Sequence, residues 1–236
     1  MANSEPPRRT MSATNLHFEA TQELEGLAKV KMITEEVCKE TRRDGKYILC
    51  FFGYFVLKIE HVLFSSFLLL WVTSFVDDGL LSEDESKECY ESIILISTVV
   101  SGLLLPLFGY LGDALSSRVL VPLAYTFRAV CGFSFMFLED PRSNLAYIVV
   151  IMLTCATMIE GISINVLFFR GIPSVVRGTM MGVYTCFGQL GMLFFTLAGG
   201  QMFDRINRNS PFFGLAALDS LVVILALVMA FLRIFR

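Results

Sequence analysis

The chain has 236 residues, is 55% hydrophobic, contains 22 Phe and carries a net charge of −3; its mean hydropathy is +0.64. This apolar fraction exceeds the roughly 45–50% of ordinary soluble chains, which excludes a conventional soluble domain, and no basic patch points to nucleic acid. The six cysteines are scattered without disulfide or zinc spacing, so neither a metal site nor a cofactor is expected.

Residues 1–45 are polar and form a cytosolic arm. Its Pro- and Ser-rich tip is predicted to be disordered, and Leu24, Leu27, Val30 and Val37 give a weak helical stripe farther on. That helix is either solvated or laid on the membrane surface. The polar stretch after Met1 lacks the pattern of a cleavable secretory signal. Asp44-Gly45 ends the arm, and residues 46–236 form the second region.

Six apolar stretches follow, at 47–75, 91–112, 119–138, 145–169, 178–203 and 212–233. Each meets the ~20 residues that a hydrocarbon core of ~30 Å requires. The fold class is therefore all-α, a polytopic membrane protein of six transmembrane helices, with short connections that make neighbours antiparallel. A long acidic loop, Asp77 to Glu88, joins the first two spans, and Cys89 is expected to lie in it.

Lys and Arg set the orientation. Eight precede the first span, and Arg118, Arg170, Arg177, Arg233 and Arg236 share that side, against Lys87, Arg142, Arg205 and Arg208 opposite. Both termini are expected to be cytoplasmic, or on the equivalent side of an organelle; the host membrane is open.

Charges within the spans carry the functional information, because a Lys, Arg or Asp at a helix centre costs ~2.5–3.5 kcal/mol on insertion scales. In the first span Lys58, His61 and Ser65 share one helical face, while Glu60 points away from Lys58. The fourth span holds Glu160 at its centre, near Thr157 and Ser163, with Asn165 offset. Arg128 in the third span and Asp219 in the sixth serve either ligand contact or packing register. Lys58 or Arg128 is a candidate static partner for Glu160.

The second span ends in GYLGDALSSR, placing Gly109, Gly112, Asp113 and Arg118 at an inner turn. The fifth opens with Arg177-Gly178 and continues through Gly182, Gly188, Gln189 and Gly191. Small residues allow close helix packing, here expected between the second and third spans and along the fifth.

These motifs resemble the major facilitator superfamily, whose second-to-third helix turn carries Gly, three residues, Asp, then basic, any, Gly and basic residues. Gly109, Asp113 and Arg118 match, whereas Ala114, Ser116 and Ser117 depart from the pattern. The resemblance covers roughly residues 40–236. It implies one half of a twelve-span transporter, built as a 3+3 inverted repeat, and the polar arm resembles the linker before a C-terminal half. It also implies that the first and fourth spans line the solute path, that the third and sixth are peripheral, and that the turn at Gly109, Gly112, Asp113 and Arg118 gates.

The leading expectation is a secondary active transporter, or half of one, moving a small polar or charged solute by alternating access, with proton symport through Glu160 or Glu60. Lys58, Glu60, His61, Glu160, Asn165, Arg128 and Asp219 are the solute or proton path candidates. A second six-helix half, as a homodimer or a separate chain, would complete it within the lipid bilayer. The alternative is a transport-inactive scaffold or assembly subunit that keeps the half-fold. Enzymatic activity is not expected: Gly132-Phe133-Ser134 has no histidine on the last span to activate it, since His17 and His61 are the only two.

Overall fold

The computed structural model describes residues 44–170 and 176–232, together with Glu35, Thr41, Ile172 and Ser174. The expected arm helix lies outside the described residues. Among those described, the chain is helical throughout, with no strand.

Six helices are long and apolar enough to cross a membrane. They are α1 (Lys46–Asp77), α2 (Glu83–Ala114), α3 (Ser117–Phe137, its last turn a 3-10 helix from Phe135), α4 (Asn144–Phe169), α5 (Arg177–Arg205) and α6 (Ser210–Phe231). The protein is thus an all-α, multi-pass membrane protein.

The second helix begins well before the expected 91. Glu83, Asp84 and Glu85 form its first turn, where carboxylates face the positive end of the helix dipole. Ser82 completes a capping box with Glu85: the Glu85 amide donates to Ser82 Oγ at 3.3 Å, and the Ser82 amide donates to Glu85 Oε2 at 2.8 Å. The long outer loop thereby contracts to five residues, 78–82, between the bounds of α1 and α2. Cys89 consequently lies inside α2, buried, with its thiol 3.6 Å from the Pro141 carbonyl.

Two local devices shape α1. At its C-terminal end Gly79 adopts φ +71°; its amide reaches the Val76 carbonyl at 2.9 Å and the Leu80 amide reaches that of Phe75 at 2.9 Å. This double bond pair closes the helix where only glycine sits without strain. Midway, Leu63–Phe67 forms a π-helical turn, and the Tyr90 hydroxyl donates to the Phe64 carbonyl at 3.3 Å. The helix inward of this turn packs against α4, α5 and α6, while its outer segment runs beside α2.

The packing has an internal symmetry. The extensive contacts are α1 on α5, α2 on α4, α3 on α6 and α3 on α4, with α1 also against α4 and α6. Exchanging α1 with α4, α2 with α5 and α3 with α6 maps α1–α5 onto α4–α2, and α1–α6 onto α4–α3. The exchange does not extend to α1–α2 and α5–α6, whose counterparts α4–α5 and α2–α3 are much less closely packed, so the symmetry is partial.

Close approach is concentrated at a few glycines. A Cβ on Gly191 would strike the Phe55 backbone; one on Gly188 would lie 2.6 Å from Tyr54 Cε1 and 2.7 Å from Lys58 Cγ. Gly112 does not seat α3, as expected, but α4, its Cβ position being 2.8 Å from Ile162 Cγ2. Gly109, Gly178 and Gly182 meet nothing within 4 Å, and Gln189 is exposed. Gly178, Gly182 and Gln189 lie on the exposed side of α5, and Gly109 is half-buried on α2.

Candidate functional site

A cleft of about 820 Å³ opens between α1 and α4, with Leu105 of α2 at its edge. Its polar lining is Lys58, Glu60, His61, Thr157, Asn165 and Arg170; Leu57, Met158, Ile162 and Phe169 are among the apolar walls. At 1.5 Å per residue, Lys58 lies about 18 Å along α1 from Lys46, near the middle of a ~30 Å core.

Lys58 Nζ is 3.2 Å from His61 Nε2, the i, i+3 spacing bringing the two nitrogens together. The Lys58 stem lies against Gly188, and its ammonium is 5.4 Å from the Tyr54 ring centroid. Ser65 turns back to donate to the His61 carbonyl at 2.5 Å. Glu60 lines the same cleft despite its different direction on the helix; its charge neighbours include Arg128 and Lys58, and Thr157 adjoins its carboxylate. Asn165 accepts from the Tyr184 hydroxyl at 3.0 Å, which fixes its amide at the α4–α5 contact.

Behind this cleft lies a fully buried ion cluster. Arg128 Nε donates to Asp219 Oδ2 at 2.9 Å, and its terminal nitrogen donates to Asp219 Oδ1. The result is a two-pronged fork joining α3 to α6. Glu160 Oε2 sits 2.6 Å from the same Arg128 Nε. That nitrogen carries one hydrogen, already directed at Asp219, so Glu160 holds a charge contact; among the described residues neither of its oxygens accepts a hydrogen bond.

All three side chains are 0% exposed. Glu160 is therefore not on the cleft wall; it lies one layer deeper, with Tyr125, Asp219 and Glu60 as further charge neighbours. Arg128 and Asp219 sit on α3 and α6 but point inward, into the bundle. At the turn between α2 and α3, Asp113 and Arg118 are exposed, and α3 starts behind Ser116, whose side chain makes no cap bond.

Sequence reasoning missed several participants. Tyr184 stacks on Tyr54 and Phe168, with ring centroids 3.8 and 4.0 Å apart, and forms the floor that holds Asn165. Aromatic density on α1 and α5 was the available signal. Tyr125, fully buried beside the ion cluster, sits one turn before Arg128, at an i, i+3 spacing that was readable.

A family model described as Major Facilitator Superfamily matches residues 20–196, three quarters of the chain. The chain belongs to the major facilitator superfamily. Comparison with curated proteins gives no match. As a member of this transporter family, the protein is an integral multi-pass membrane protein, and its cleft falls between the two helices, α1 and α4, that the resemblance assigned to the solute path.

Proposed function

We propose that the protein is a secondary transporter, or half of one, that moves a small polar or charged solute by alternating access through the α1–α4 cleft. The observation carrying this reading is the convergence of Lys58, Glu60 and His61, well inside α1, with Asn165 of α4 on one open cavity that reaches to Arg170 at the end of α4. Ionisable groups inside a span are costly unless they serve a water-filled path. Both termini face the cytoplasm in this reading, following the distribution of Lys and Arg.

The buried cluster supplies a place for a coupling proton. Two carboxylates facing one guanidinium leave a surplus negative charge when both are ionised, and one proton removes it. Asp219 is held by the Arg128 fork, so Glu160 is the member that takes up the proton, with Glu60 between it and the cleft. Glu160→Gln should therefore support exchange of solute but lose acceleration by an inward proton gradient in reconstituted vesicles. Uptake that keeps its full gradient dependence in that variant would count against this role.

A second six-helix unit completes the path. The spans α2 and α5, equivalent under the internal exchange, are the least buried, at 22% and 28% of their apolar windows. They carry Gly102, Gly109, Gly178, Gly182 and Gly200, all with open space at the Cβ position. Small residues on an exposed helix face allow another helix to approach closely. The exposed Asp113 and Arg118 would gate at that junction.

A further inference from the structure

The geometry points to an organic anion with an apolar body as the class of solute, its acidic group held by Lys58, whose ammonium His61 orients; this deepens the transport reading and rests on it.

The charges in the cleft are not equivalent. Glu60 faces Arg128 and Thr157 ahead of Lys58, so α3 answers most of its charge and the Lys58 ammonium, which makes no ion pair with it, is left for the cleft. Lys58 Nζ and His61 Nε2, in contrast, have each other at 3.2 Å, and no Lys58 or His61 ion pair occurs among the described residues. Arg170 adds a second cation at the inner end of the same cleft. In that contact the ammonium donates to the imidazole nitrogen, so Lys58 keeps two further hydrogens, and an oxyanion in the cleft can accept from them.

The remaining walls decide what the acid is attached to. Leu57, Leu105, Met158, Ile162 and Phe169 give the cleft a mostly apolar lining, which a sugar or a small inorganic anion leaves wet. Methionine and phenylalanine accommodate aliphatic or aromatic bodies of differing shape. Gly188 sets the position of the key cation, because the Lys58 stem and the Tyr54 ring occupy the space where any side chain at 188 would stand.

The test is binding of phenylacetate, with phenylethanol and phenethylamine as neutral and cationic counterparts, to the full chain in phosphatidylcholine nanodiscs by calorimetry. Phenylacetate should bind at least about tenfold more tightly than either counterpart, the discrimination expected for a hydrogen bond to a charged group. Lys58→Gln should lose about tenfold or more, and Lys58→Arg should retain most of the affinity. Equal affinity for all three probes, preference for the amine, or unchanged binding in Lys58→Gln would overturn the inference.

Should Lys58→Gln fail to fold, the three-probe ranking on the unaltered chain and on Lys58→Arg still decides. Repeating the titration with phosphatidylglycerol in the disc separates a solute from a lipid headgroup; loss of phenylacetate binding there would overturn the solute assignment. Vesicle flux separates the two readings: phenylacetate binding without flux removes the transport reading alone, whereas flux of a neutral solute without phenylacetate binding removes the anion.

Discussion

Arg128 and Glu160 differ in what their loss leaves behind. Removing the guanidinium, as in Arg128→Gln, strands Asp219 and Glu160 together in a space with 0% exposure, and breaking a buried ion network from that side costs about 3–5 kcal/mol. Glu160→Gln keeps the Arg128–Asp219 fork and removes a charge that lacks a directed hydrogen bond, so it should cost far less. Unfolding in mixed micelles should rank Arg128→Gln well below Glu160→Gln; the reverse order would contradict the assignment of Glu160 as the loosely held acid. The i, i+3 neighbours Lys58 and His61 were readable from spacing. The Arg128–Asp219 pair was not, because it joins residues 91 apart through the face that α3 turns toward α6, which no local pattern specifies.

The cores of all six helices were legible, since apolar length alone decides them. The start of α2 was misjudged because Glu83, Asp84 and Glu85 resemble loop residues by charge, although Ser82 followed by Glu85 already spelled a capping box. The π-helical turn at Leu63–Phe67 left no recognisable signature. Tyr90→Phe removes the hydroxyl that satisfies the Phe64 carbonyl and should lower stability by about 0.5–1.5 kcal/mol. Glycines on one helix also divide by facing: Gly188→Val drives a side chain into Tyr54 and Lys58 and should weaken solute binding at least tenfold, the loss expected when a charge-assisted contact is displaced. Binding assays on a correctly inserted variant check this, and unaltered affinity would argue against Gly188 as the seat of Lys58.

Taken whole, the six helices form a packed unit whose two least buried members are α2 and α5, of which α2 borders the cleft at Leu105. If a second copy docks there, Gly182→Val, which meets nothing within 4 Å in the unit itself, should leave the melting temperature of the monomer unchanged while shifting native mass spectra in lipid from dimer to monomer. A dimer fraction equal to that of the unaltered chain would remove α5 from the junction. At the C-terminal end of α1, Arg208 donates to Asp78 Oδ2 at 2.6 Å and lies 3.9 Å from the Phe75 ring centroid, which ties the α5–α6 connection to α1.

The Arg128 fork also dictates an order of events during synthesis. A nascent α3 carries an arginine that lipid disfavours by a few kcal/mol, and the acids that neutralise it emerge later, Glu160 on the next span and Asp219 only on the last. The ribosome therefore delivers one acid with α4 and the second only with α6, so the cluster is completed late. A chain halted at residue 209 holds Arg128 against Glu160 alone, and glycosylation mapping should show α3 inserted less completely there than in the intact chain.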